Sequence, residues 1–192
     1  MNKTVTPKFI FIVSALLIAA LSRLLPHPPN FTPIAGMALF GAALMQNKKL
    51  ALIIPLVAML ISDVFIGIQT NTPGIFHDQM LGVYVSFILI SCIGFWLSKG
   101  YNTGKIVFAS FASSMLFFII TNFYCWIVYP VYTKDLAGLL SAYTLAIPFY
   151  GSGNDIFGSF FLNTIMGDLF YTSALFGAYY FAQLKFPVLA KA

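Results

Sequence analysis

Residues 22–43 read SRLLPHPPNFTPIAGMALFGAA, from Ser22 to Ala43, and this stretch decides how the rest of the chain is arranged. An arginine, a histidine and an asparagine sit among prolines between two apolar runs, a costly cluster in a greasy chain unless it faces water or a partner. Pro26, Pro28 and Pro29 lack backbone donors and bias their predecessors toward extended conformations, so a first helix has to stop near Leu25. Thr32 is then placed to cap a second helix, with Pro33 at its first position. The stretch reads as the outward-facing elbow between two membrane helices; an ordinary helix-terminating loop is the plainer alternative.

Composition sets the class. With 60% hydrophobic and 8% charged residues over 192 positions and a mean hydropathy of +0.91, the chain has too little polar surface for water. Its apolar runs reach the roughly 20 residues needed to cross a bilayer. A β-barrel would show segments of about ten residues alternating apolar and polar, a pattern not found here. The expectation is an all-α integral membrane protein, a six-transmembrane-helix bundle forming one domain over residues 1–192. Cys92 and Cys125 both lie in apolar runs and read as packing residues.

Spans are expected at Phe9–Leu25, Pro33–Met45, Leu50–Ile68, Met80–Leu97, Ile106–Val128 and Ile156–Phe181. A half-buried or re-entrant helix is expected over Asp135–Phe149, ended by Pro148. The basic start at Lys3 and Lys8, followed by an apolar run and small residues at Ala19, Ala20 and Ser22, also fits a signal peptide; a retained first span is the reading taken. If the amino terminus is cytoplasmic, Lys3, Lys8, Lys48, Lys49, Lys99, Lys105, Lys185 and Lys191 all fall inside. Only Arg23 and Lys134 then lie outside, so both termini are expected in the cytoplasm of a multi-pass inner-membrane protein. The net charge of +5 reflects this bias and implies no nucleic-acid partner.

The five acids are all aspartate. Asp78, Asp135 and Asp155 fall in outer loops, whereas Asp63 and Asp168 lie within spans. Asp63 stands about 20 Å above the inner end of its helix at 1.5 Å per residue, inside a hydrocarbon layer of about 30 Å. Helical spacing puts Met59, Asp63 and Gly67 on one face, Asn122, Trp126 and Tyr129 on another, and Thr164, Asp168 and Tyr171 on a third. With Arg23, His27 and Asn30 from the elbow, His77 from the next outer loop and Tyr143 from the long segment, these polar groups converge on an outward-open cavity. The aromatics Trp126, Tyr129, Tyr132 and Tyr143 fit either an interfacial belt or a platform for a flat ligand. The alternative for the charges is a purely structural pair, Arg23 with Asp63 or Asp168, tying helices together.

The run Arg23, Pro26, His27, Asn30, Phe31, Pro33, the Ser62-Asp63 pair, Asn122-Phe123 with Trp126, Ala146 to Phe149, and Asn163-Thr-x-x-Gly167-Asp168-x-x-Tyr171 resembles an uncharacterised family of bacterial six-span proteins. That family in turn resembles the substrate-binding S components of energy-coupling-factor (ECF) vitamin transporters. The resemblance implies a subunit that captures a small vitamin-like solute from the outer side, and it adds Asn163 to the candidate substrate-binding residues. It also implies docking on an energising ATPase and membrane module through an Ala-x-x-x-Ala surface, here Ala15 and Ala19, although such pairs also serve ordinary helix packing. A non-transporting scaffold and a self-contained carrier are the alternatives.

Enzymatic readings find no support in the motifs. His27 and His77 with Asp63 or Asp168 lack HExxH, CxxC or any tight ligand spacing, so neither a metal nor another cofactor is expected. Walker and GxSxG motifs are absent. The string from Gly151 to Asp155 reads as a turn before the last helix.

Overall fold

A computed structural model describes residues 6–71, 78–147 and 159–190, and every regular element among them is helical. Thr6 caps α1 (Pro7–Leu21), accepting from the Phe9 N–H at 3.1 Å, and the helix runs on through a 3-10 turn at Ser22–Leu24. The elbow leads into α2 (Ile34–Leu44). Asn47 caps α3 (Lys48–Thr70) by accepting from the N–H groups of Lys49 and Leu50 at 3.0 and 3.2 Å. α4 covers Met80–Leu97, as expected, and α5 covers Thr103–Val128 with Asn102 as its cap. α6 (Leu136–Leu145) begins on Asp135, and α7 (Phe160–Lys185) begins on Ser159 and is followed by a 3-10 turn at Pro187–Leu189.

Among the described residues four segments are long and apolar enough to cross a membrane: Pro7–Leu24, Lys48–Thr70, Met80–Leu97 and Thr103–Val128. Their outward faces carry Ile10, Ile18, Ile53, Ile68, Phe108 and Ile119, all exposed, as lipid contact requires. The chain is thus an all-helical protein with the apolar surface of a membrane protein. Two expected spans differ from these four. α7 has the length, with 26 residues, but Asn163, Asp168, Gln183 and Lys185 dilute its hydropathy. α2 is a core element with only 11 residues, about 16 Å of helix against a hydrocarbon layer of about 30 Å.

Every residue of α2 is buried. Its sequence, IAGMALFGAAL, is apolar all round, the pattern of a helix with no solvent or lipid face. α1, α3, α4, α5 and α7 all pack against it. Small residues permit this enclosure by letting neighbouring backbones come close. At Gly94 of α4 a methyl group would stand 2.6 Å from the Ala42 Cβ, and at Gly36 one would stand 3.1 Å from the Thr172 backbone nitrogen. Phe40 closes the core from the α2 side, edge-on to Phe176 with ring centroids 5.3 Å apart.

The cap of α2 departs from expectation. Pro33 occupies the cap position and no side chain of its own segment bonds the helix start. Thr32 instead uses its N–H to close a turn on the Asn30 carbonyl at 3.0 Å, with Asn30 at a φ of 62°. The orphan N–H of Ala35 donates to the Asp168 carboxyl, reached across the bundle on α7. A carboxylate at a helix N-terminus also complements the helix dipole.

Helix α6 confirms a short helix in the long connecting segment, with Gly138 and Ala142 buried against the bundle. The expected stop at Pro148 and the 151–155 turn lie outside the described residues.

Candidate functional site

A cavity of about 360 Å³ opens where the end of α1, the start of α2, the end of α3, the start of α4, the second half of α5 and the start of α7 meet. That is the end of the bundle opposite Lys48, Lys49, Lys99 and Lys105, which stand at the other ends of α3, α4 and α5. Arg23, Asn30, Asp63 and Asn122, all candidates from the sequence, line it.

Its centre is an ion pair. Arg23 Nη1 lies 2.6 Å from Asp63 Oδ1, with both side chains largely buried. The same Nη1 donates to Ser62 Oγ at 2.5 Å and to the Met59 carbonyl at 3.4 Å, and the Tyr84 hydroxyl donates to Asp63 Oδ2 at 3.1 Å. The anionic partner is therefore saturated, while the guanidinium is held along one edge only. Arg23 Nε is buried and has no partner in the protein. Nε and Nη2 form the other prong of the planar fork, and no protein group accepts from the buried Nε.

The walls combine amide, hydroxyl and aromatic groups. Asn122 Nδ2 donates to the Phe118 carbonyl at 2.8 Å and the Thr121 hydroxyl to that of Phe117 at 2.8 Å, leaving their oxygens as acceptors. Gln79 Nε2 donates to Cys125 Sγ at 3.3 Å, so Cys125 is a wall residue. Cys92 is exposed and does not pack inside. Phe118 and Phe161 supply the aromatic wall, with centroids 4.6 Å apart and ring planes tilted by 55°.

Several sequence candidates stand elsewhere. Asp168 is buried outside the cavity, bonded to Ser114 Oγ at 2.7 Å and to the Ala35 N–H. Asn163 donates to the Pro29 carbonyl at 2.9 Å, tying α7 to the elbow. His27 is exposed, its Nδ1 2.9 Å from the Pro28 carbonyl. Trp126 Nε1 donates to the Thr133 carbonyl at 2.8 Å, and Lys134 Nζ reaches the carbonyls of Trp126 and Tyr129, so this trio closes the α5–α6 connection. Tyr143 is half-buried, bonds the Ile119 carbonyl at 2.9 Å and backs the wall residue Phe118 at 5.9 Å between centroids. His77 lies outside the described residues. Ala19 is buried and Ala15 is partly buried against the core, while the neighbouring Leu17 and Ile18 take outward positions.

Tyr84, Gln79, Thr121, Phe118 and Phe161 are among the wall residues that sequence reasoning missed. A signal existed for Gln79: with Val83 it makes an i, i+4 pair at the start of a span, and both line the cavity.

The family model described as a family of unknown function, DUF6580, matches residues 3–189. No curated protein matches, and no solved structure does.

Proposed function

We propose that this chain, which belongs to the DUF6580 family of unknown function, is a transport protein of the bacterial inner membrane that captures a small, flat, polar solute in the Arg23–Asp63 cavity. The observation that carries this reading is the unpartnered Nε edge of an arginine buried in a cavity of about 360 Å³. A purely structural ion pair would place an acceptor on each buried donor of the fork. Asp63 neutralises the charge, so the cavity favours a net-neutral molecule that offers an acceptor to Arg23, a face to Phe118 and Phe161, and donors to Asn122 and Thr121.

The positive-inside bias supports an amino terminus and a carboxyl terminus both in the cytoplasm, with the cavity facing out. In that orientation α1, α2, α3, α4, α5 and α7 make six passes. α2 can be short because protein, not lipid, surrounds it. Native mass spectrometry of the chain purified in lipid nanodiscs tests the reading. A retained small molecule of neutral, flat, hydrogen-bonding type, lost in Arg23→Met, is the expected result. A properly folded wild-type chain that retains nothing and binds no member of a library of such compounds would sink it.

Two versions of transport remain separable. An S-component-like subunit needs an energising ATPase module, and the Ala15–Ala19 strip was its docking surface. Ala19 of that strip is buried and Ala15 partly so, which supports a self-contained carrier over the subunit. Uptake of the retained molecule by proteoliposomes holding this chain alone, without ATP, supports the carrier; uptake that requires a co-reconstituted ATPase supports the subunit.

A further inference from the structure

Helices α5 and α7 run antiparallel, and the Ser114–Asp168 hydrogen bond of 2.7 Å fixes their register. Four-residue steps in opposite directions then pair successive levels about 6 Å apart. One step toward the Arg23 end brings Phe118 level with Thr164, and both line the cavity already described. One step the other way brings Ser110 level with Thr172. A further step brings Ile106 level with Phe176, and both line a second cavity of about 480 Å³, which also holds Asn102, Ser173 and Gln183. Two polar levels thus lie between the two cavities, over a distance of about 18 Å.

The middle level is unusual. Buried serines elsewhere donate to their own helix: Ser86 to Gly82, Ser91 to Phe87 and Ser113 to Ala109. The hydroxyls of Ser110 and Thr172 are as deeply buried and have no partner in the protein. Helix packing alone would be served by alanine, without desolvating two hydroxyls. Asp168, 4% exposed, is faced by the Ser114 hydroxyl from α5 and the Ala35 N–H from α2. Among the described residues no lysine, arginine, histidine or second carboxylate acts on it. A carboxyl with no counter-charge in a membrane bundle is a group suited to carrying a proton.

We propose that the α5–α7 seam is a proton path linking the two cavities, with Asp168 as its relay and Ser110 and Thr172 as the hydroxyls that complete it. In each passage the Asp168 carboxylate takes a proton that enters from the Arg23-side cavity by way of the Thr164 hydroxyl, which lines that cavity one turn away on α7. It then releases that proton through the Ser110–Thr172 level to water in the second cavity, so no bond other than O–H is made or broken. The driving force is a transmembrane proton gradient. The inference rests on the transport reading and deepens it: the chain is a proton-coupled carrier that needs no ATPase.

Reconstitution of the full chain into liposomes with trapped pyranine, energised by a valinomycin-set potassium potential, tests it. Wild-type vesicles should acidify at least tenfold faster than protein-free ones. Thr172→Val and Asp168→Asn should return the rate to the protein-free level, while Ser91→Ala, which removes an equally buried hydroxyl from α4, should match wild type. If Asp168→Asn does not fold, Thr172→Val and Ser110→Ala decide. Wild-type flux at the protein-free rate, or full flux in both Thr172→Val and Ser110→Ala, overturns the path. Solute binding is measured in nanodiscs without a gradient, so an inert seam with intact binding overturns only this inference, whereas absent binding overturns the transport reading itself.

Discussion

Arg23 and Asp63 come from segments 40 positions apart and meet at 2.6 Å in the wall of a cavity, so the chain's single arginine and one of the two buried carboxylates among the described residues neutralise each other. Removing either partner strands the other. Asp63→Asn is expected to destabilise the chain by about 3 to 5 kcal/mol, whereas replacing both by leucine should recover much of that loss. Unfolding of the two variants in the same detergent, compared with wild type, checks it; equal loss in both would mean the pair itself contributes the stability.

The crossing of α2 and α4 should tolerate no added atom. Gly94→Ala puts a methyl group 2.6 Å from the Ala42 Cβ, an overpacking that costs about 1 to 3 kcal/mol. Gly177 on α7 has open space around it, so Gly177→Ala should be neutral or stabilise by up to about 1 kcal/mol through the unfolded chain. Thermal midpoints of the two variants should move in opposite directions, or only the first should move.

Orientation is open to direct labelling. With Cys92 and Cys125 replaced by serine, a cysteine at Asn71, beyond the end of α3, should react with an impermeant thiol reagent added to intact cells. One at Asn102, the cap of α5, should react only after lysis. Reaction of Asn102→Cys in intact cells would invert the bundle.

Asp135 gives a pH handle outside the spans. The Gly138 N–H at 2.8 Å, then the Thr133 hydroxyl at 2.7 Å, hold its carboxyl below the ordinary value of 3.8. A depressed carboxyl stabilises the folded cap fully above that ordinary value, and the contribution is lost as the pH falls below it through the folded value. Hydrogen exchange at the start of α6 should therefore gain protection from Asp135 at neutral pH and lose it in strong acid. Asp135→Ala should remove the pH dependence at these amides.

Much of the helix order is legible in the chain because apolar runs of span length leave little choice: Met80–Leu97 is both the expected and the observed α4. The buried ion pair is legible for a related reason, since a lone charge in such a run has to find its opposite. Helical wheels say which residues share a face but not which neighbour that face meets. Asp168 shares a face with Thr164, yet only Thr164 reaches the cavity, because one turn further down α7 the N-terminus of α2 intervenes. The Asn122, Trp126, Tyr129 stripe divides in the same way, with Asn122 in the wall and the other two in the α5–α6 connection. Tyr84 was hidden because a tyrosine early in an apolar span reads as interfacial, and its bond to Asp63 depends on how α3 and α4 approach each other. Ala15 and Ala19 have the spacing of a docking strip, but spacing does not say whether the close neighbour belongs to the same chain.

The enclosure of α2 has a consequence for how the protein is made. An 11-residue helix is too short to be inserted as a span on its own hydrophobicity, and four of the helices that enclose it, α3, α4, α5 and α7, are synthesised after it. As the nascent chain leaves the ribosome, α2 has only α1 and α3 to lean on. Its placement becomes complete when α7 arrives and Asp168 takes up the Ala35 N–H. The socket of α2 is therefore finished only by the last helix, and a chain interrupted before α7 leaves this fully buried helix incompletely enclosed.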